Sequence, residues 1–410
     1  MQLYDTAART VRPLEPAGDP VSLYVCGITP YDAAHLGHAF TYHVFDVITR
    51  RLQAAGREVR SVRNVTDIDD DIFRVARERG VDARALVAFQ VSRFDMEMAS
   101  IDILPVTVPY ASAHVPEMVD WIGRLEAAGF AYPRDGRVYF DTARFDRYGS
   151  LSGLDREQMI ALSRERGADP DDPRKRDPLD FILWQPSLPD EPHWPSPWGD
   201  GRPGWHIECS VLATRELGET VDIHGGGDDL VYPHHESEIA QTEALQEQPL
   251  ARHWVHVAMV QLDGVKMSKS LGNLVFVRDL VARAHPGAAR LVLAAHHYRT
   301  SWSYTEDDLE AAQRRHHSWS GAFGEGERLG LTIDPDEAAA AEREFFARLD
   351  DDLDTPGALL VLDRIATGAS RSQAGAGVPV APLMARLSGV IGVELDRIVT
   401  RELTTPHSAS

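Results

Sequence analysis

The chain has 410 residues, 43% hydrophobic and 26% charged, which is the ordinary globular range with room for two or three cores. Its 42 basic residues against 63 acidic ones leave a formal net charge of −21, so it repels polyanions as a whole and offers no broad electrostatic footprint for nucleic acid. Two cysteines exclude a disulfide framework, no apolar run approaches the roughly 20 residues of a membrane span, and Met1-Gln2-Leu3-Tyr4-Asp5 lacks a leader pattern, so a cytoplasmic protein is expected.

Taken in chain order, VSLYVCGIT (21–29) predicts a buried strand, PYDAAHLGH a loop, and AFTYHVFDVITRRLQAAG an amphipathic helix closed by Gly56. EVRSVRNVTDIDDDI adds a second strand and a carboxylate-rich turn. The chain thus begins as a β-α-β unit, whose ligands bind at the carboxyl ends of parallel strands. From 105 to 200 the texture changes to helices, short alternating strands such as RVYFDT, and Pro/Asp-rich stretches, which predicts an inserted domain. VDIHGGGDD, HHESEIAQTEALQ and HWVHVAMVQLDG then read as strand, helix and strand, and the remainder as helical. The expected units are 1–104 and 201–285 as two halves of one nucleotide-binding domain, 105–200 as the insertion, 286–403 as a helical domain, and 404–410 as a tail. Arg314-Arg315-His316-His317, the nearest thing to a basic patch, reads as one exposed helix face.

Three clusters carry chemistry. His35-Leu36-Gly37-His38 stands at a helix start, where free N–H groups suit a triphosphate and two imidazoles three residues apart share a face. Lys266-Met267-Ser268-Lys269-Ser270 brings two ammonium groups on a loop, suited to charge that builds on phosphates in a transition state. Cys26, Cys209, His234 and Glu238 offer two sulfurs, one nitrogen and one oxygen, a tetrahedral set for zinc if the fold brings them together. Burial of both cysteines as small apolar residues is the alternative. A thiophilic ion would also separate cysteine from serine, which shape or hydrogen bonding does weakly.

HLGH followed more than two hundred residues later by KMSKS is the signature of class I aminoacyl-tRNA synthetases. Together with YVCGITPYDAAHLGH, NVTDIDDDI, GRPGWHIECS and DIHGGGDDLVYPHHESEIAQTEA, it makes the chain resemble the cysteinyl-tRNA synthetase family over about residues 1–365. QLYDTAARTVRP, ERGADPDDPRKRDPLDFILW, HWPSPWG and ARHWVHVAM are closer to the branch of cysteine ligases in mycothiol biosynthesis, whose acceptor is the amine of glucosaminyl-inositol. The resemblance implies an α/β fold: a Rossmann-like parallel sheet with an inserted α/β domain and a C-terminal helical domain. It implies one zinc ion at Cys26, Cys209 and His234, to which the residue pattern above adds Glu238 as a fourth candidate donor. Cysteine would lie against Gly27, Thr29, Thr66 and Trp205. ATP with Mg²⁺ would meet His35, His38, Gly227, Asp229, Lys266, Ser268 and Lys269.

The expected activity is adenylation of L-cysteine by ATP followed by transfer to the amine of an amino-sugar inositol, in a monomer that uses neither tRNA nor a membrane. The region after DDLDTP shows no basic run to grip an anticodon. Glu238 and His224 follow the synthetase pattern, which keeps two alternatives open: a compact cysteinyl-tRNA synthetase, or a paralogue that charges another small amine.

Overall fold

Val21–Ile28 is apolar along nearly its whole length because both of its faces are covered, the mark of an inner parallel strand. It pairs in parallel with Val59–Val65 on one side and with Val221–Gly227 on the other, and Ala251–Val257 completes a four-stranded parallel sheet. Residues 107–110 run beside Val59–Val65 through parallel bridges at Val62–Thr107 and Val65–Tyr110, so the chain widens this sheet as it enters the insertion. The computed structural model describes residues 1–31, 35–267, 272–368 and 377–396.

The helix Leu36–Ala54 crosses between the first two strands and buries Phe40, Val44, Phe45, Val47 and Ile48. Gly27 is required where the first strand ends: a Cβ there would lie 1.6 Å from the carbonyl oxygen of Asn64, whose side-chain Oδ1 accepts the Gly27 N–H at 2.7 Å. The helix Asp70–Arg79 follows the second strand, capped by Asp69 and closed by Gly80 in the left-handed region. Ala83–Ser100 packs beside it.

The insertion holds the helices Val115–Ala127 and Arg156–Glu165 and an antiparallel sheet of Ala131–Arg134, Arg137–Phe140, Phe181–Gln185 and Arg202–Pro203. Trp205–Leu217 then returns the chain to the parallel sheet.

HWVHVAMVQLDG departs from the single strand expected of it. Ala251–Val257 belongs to the parallel sheet, whereas Val260–Leu262 pairs with Val265–Lys266 and Trp302–Tyr304 in a separate sheet, the two parted where Ala258 N donates to Tyr298 O. Beyond residue 276 the described residues are helical apart from short strands and connecting turns, and the longest helix among them is Glu306–Leu329. The Arg314–His317 run does not form one exposed face. Four consecutive residues fan out over about 300° of helix, so Arg315 reaches Asp363 at 3.1 Å and His316 is buried, with Nε2 on Glu394 O at 3.0 Å.

One ion pair welds this helical region to the first catalytic helix. Arg290, fully buried on the helix Pro286–Ala294, bonds Asp46 and donates to the carbonyls of Ile101 and Ile391 at 2.8 and 2.6 Å. Asp46 also accepts from Arg50 at 2.7 Å and from Leu104 N at 2.8 Å.

Candidate active site

A cavity of about 630 Å³ opens at the carboxyl ends of the parallel strands, where β-α-β architecture places ligands. Cys26, Gly27, Thr29, His35, His38, Trp205, Gly227 and Asp229 line it, so candidates read from four separate stretches of sequence share one space. Thr66 stands just behind the wall. It is buried, its N–H donates to Ile28 O at 3.0 Å and its hydroxyl accepts from Asn64 at 3.2 Å. A larger cavity of about 830 Å³ lies along the flank of Val59–Val65, lined by residues such as Leu23, Thr49 and Arg60, and contains none of these candidates.

At the inner end the ligand atoms of Cys26, Cys209, His234 and Glu238 all lie within 4.8 Å of one another, and every one of the four is buried. Cys26 ends a strand, Cys209 projects from one turn into Trp205–Leu217, and Glu238 lies in the helix Glu236–Glu243. His234 and Glu238 do not belong to one regular helix. His234 sits in the wound segment Val231–His235, where Tyr232 is extended, yet its Nε2 still comes 3.1 Å from Glu238 Oε1. Cys26 Sγ is 3.3 Å from the same oxygen.

These donors fit a cation. Atoms bound at about 2.0–2.3 Å around a tetrahedral ion stand roughly 3.3–3.8 Å apart, close to the separations seen. The approach of His234 Nε2 to Glu238 is not aligned as a hydrogen bond. That nitrogen and Glu238 Oε2 are therefore buried without a hydrogen-bond partner among the described residues. Burial lowers the His234 imidazole to about 3 and that of His206 to about 4, keeping both neutral, which is the ligating form. Burial pushes both thiols up, Cys26 furthest.

Around the donors lies a shell of rings, of which sequence reasoning singled out Trp205 and His224 but not His206, His235 or His256. His206 Nδ1 meets His234 Nδ1 at 2.9 Å, which turns Nε2 toward the cluster, and Trp205 stacks on His234 at 4.2 Å. His235 joins Cys26 Sγ at 3.3 Å to His256 at 2.7 Å, and His256 to the Thr6 hydroxyl at 2.7 Å. Cys26, His224, His235 and Glu238 form a second group of potential ligands that shares two members with the first. The available signal was the density of histidine around both motifs, with His206 three residues before Cys209 and His235 beside His234.

At the outer end His35 caps the helix Leu36–Ala54, its Nδ1 accepting from Gly37 N at 3.1 Å, and its ring lies 4.0 Å from that of His38. The Leu36 N–H donates to Val275 O at 2.8 Å, and His35 bridges Phe276. The start of this helix is thereby tied to the chain that follows the lysine-bearing motif. Lys266 occupies the short strand Val265–Lys266, and Ser268 and Lys269 lie outside the described residues. Gly227 and Asp229 end the Val221–Gly227 strand and the turn after it. Arg166, reaching in from the insertion, lines the same cavity and was not singled out in the sequence; it faces Asp228, whose carboxyl burial raises and this guanidinium lowers.

Comparison with known proteins agrees with this architecture. Residues 13–314 match the family described as tRNA synthetases class I (C) catalytic domain. A Streptosporangium roseum protein named L-cysteine:1D-myo-inositol 2-amino-2-deoxy-alpha-D-glucopyranoside ligase is 45% identical over 96% of this chain and 96% of its own. A Thermobifida fusca protein of the same name is 46% identical over 97% and 95%. Among solved structures, Mycobacterium tuberculosis methionyl-tRNA synthetase in complex with methionyl-adenylate superposes with a TM-score of 0.61 at 16% identity, covering 91% of this chain and 88% of that one. Thermus thermophilus arginyl-tRNA synthetase gives 0.56 at 14% identity, with 95% and 84% covered. No helix among the described residues is long and apolar enough to cross a membrane.

Proposed function

Because this chain belongs to the family of class I (C) tRNA synthetase catalytic domains, we propose that it is an ATP-dependent ligase that adenylates L-cysteine and passes the cysteinyl group to the amine of glucosaminyl-inositol, a step of mycothiol biosynthesis. The observation that carries the reading is the buried Cys26, Cys209, His234 and Glu238 cluster, opening into the same cavity as His35 and His38. Zinc, once bound there, supplies a soft centre that prefers a thiolate to a hydroxyl.

The protein's own groups do the rest. Trp205 forms a rigid wall for a small amino acid, and Gly27, Thr29 and Thr66 orient it with its carboxylate toward the outer end. The N-terminus of Leu36–Ala54 receives the phosphates, and His35 and His38 donate to oxygens that gain charge as the cysteine carboxylate attacks the α-phosphorus and pyrophosphate leaves. Asp229 accepts from the ribose hydroxyls beside Gly227, and the ammonium groups of Lys266 and Lys269 neutralise the departing phosphates, with Mg²⁺ entering with ATP. The enzyme acts as a cytoplasmic monomer.

A compact cysteinyl-tRNA synthetase is the second reading, supported by Glu238 and His224 meeting at 3.2 Å. The net charge of −21 opposes it. The deciding experiment supplies cysteine and ATP with either glucosaminyl-inositol or bulk tRNA and follows AMP and product mass. A cysteinyl amide of the amino sugar supports the ligase, cysteinyl-tRNA the synthetase, and cysteine-dependent pyrophosphate exchange without either product a different amine.

A further inference from the structure

The second half of the reaction needs a group that accepts a proton from the attacking amine, and no motif marks one. Once the inner end of the cavity is assigned to cysteine and the outer end to ATP, the wall that remains includes Tyr31, Thr41, Asp69, Asp71 and Phe94, the two aspartates being its carboxylates. Asp69 ends the loop leaving Val59–Val65 and caps the helix Asp70–Arg79 that carries Asp71, and it stands only three residues beyond Thr66.

The four aspartates of this loop and the helix turn after it differ in what they are free to do. Asp67 has both oxygens on Ser112, at 2.8 and 2.5 Å; Asp70 pairs with Arg202; Asp71 pairs with Arg74 at 2.6 Å. Asp69 spends only Oδ1, which accepts from Asp71 N at 2.8 Å, and its other oxygen accepts no hydrogen bond or ion pair among the described residues. We propose that Asp69 is the catalytic base of the transfer step, taking the proton from the acceptor nitrogen as it attacks the cysteinyl carbonyl. This inference rests on the amine-ligase reading given above.

The step balances within the site. The amine nitrogen, arriving unprotonated, donates its electron pair to the carbonyl carbon and forms the C–N bond. The bond from that carbon to the phosphate oxygen breaks, and AMP leaves with the electron pair. One N–H proton passes to Asp69 and then to water at the cavity mouth. Burial raises the Asp69 carboxyl to about 6, against an opposing hydrogen bond from Asp71 N. It therefore remains mostly ionised at neutral pH while standing closer to an amine than an ordinary aspartate does. The charged or titratable groups around it are Asp70 and Asp71 on its own helix, Arg202 and Glu208 from the neighbouring elements, and His35, His38 and Arg166 across the cavity.

Asp69→Asn tests the role, because asparagine caps a helix as well as aspartate does. The variant and the wild type are compared in cysteine-dependent ATP–pyrophosphate exchange, in capture of the adenylate by hydroxylamine, and in single-turnover amide formation with glucosaminyl-inositol. The expected result is a loss of about 10²–10⁴-fold in amide formation, with exchange and hydroxylamine capture within about threefold of wild type, and disappearance of the acid limb near pH 6 from the transfer rate. Equal amide formation by both proteins overturns the proposal. So does a parallel fall in exchange and transfer, which would make Asp69 a holder of the cysteine ammonium. If the wild type itself forms no amide, the acceptor reading fails, and the role of Asp69 with it.

Discussion

The two ends of the active-site cavity are built on opposite principles. The inner end is wholly buried, its four donor residues at most 4% exposed and braced by a shell of neutral imidazoles. The outer end is half-buried: His35, His38, Gly227 and Asp229 all keep some exposure, and one of the segments that frame it joins two sheets. A substrate thiol distinguished by one atom requires a dry, fixed set of donors. A triphosphate that must enter, react and leave as pyrophosphate requires groups that meet it mainly at the transition state. Substitutions at the inner end should therefore change what is bound, and those at the outer end how fast it reacts.

The largest effect is expected at Cys209. If one ligand of four carries about a quarter of roughly 12 kcal/mol, Cys209→Ala weakens zinc binding by about 3 kcal/mol, over a hundredfold. Metal analysis after dialysis should show the loss, together with loss of cysteine activation. Proton linkage gives a similar scale. Burial raises both thiols, so each binds its proton tightly at neutral pH and must release it to ligate a metal. Affinity should rise with pH, by up to about 100-fold per unit while two protons are displaced, and an indicator dye should register roughly two protons released per zinc. Fewer than one would mean that the thiols are not the ligands.

At the outer end, His38→Ala should lower the adenylation rate by about 100-fold while zinc content stays at the wild-type value. Loss of zinc in that variant would erase the contrast between the two ends. The smallest effect belongs to Glu238→Gln, which keeps shape and removes charge. A tenfold or so weakening of zinc retention is expected if this carboxylate touches the ion or orients its ligands. Unchanged retention would leave three ligands, as the resemblance alone implied.

Much of this was legible in sequence because it depends on local pattern. Val21–Ile28 declares itself through an apolar, β-branched run, and Gly56 closes the helix that follows it. Cys26 and Cys209 were legible as candidates but not as neighbours, since the 182 residues of intervening chain fix their separation only through the register of the parallel sheet. His256 was hidden for a different reason. In HWVHV it looks like one more polar residue of a half-exposed strand, whereas the hairpin Gln2–Asp5 and Thr10–Pro13 covers that strand and brings Thr6 against it. The division of HWVHVAMVQLDG between two sheets likewise depends on Trp302–Tyr304, too far along the chain to enter any local window.

The buried pairing of Arg290 with Asp46 carries a consequence for synthesis on the ribosome. A growing chain can fold its first strands and the helix Leu36–Ala54 early, but Asp46 then faces the interior with only Arg50 and the Leu104 N–H beside it. Its fully buried partner emerges more than two hundred residues later, and that guanidinium in turn needs the carbonyl of Ile391. The nascent catalytic region therefore holds Asp46, midway along its first helix, with only one of its two arginine partners until nearly the whole helical region has been made. Ribosome-bound chains halted before residue 286 should accordingly be cut by protease near Asp46, and chains extended past residue 396 and clear of the exit tunnel should resist.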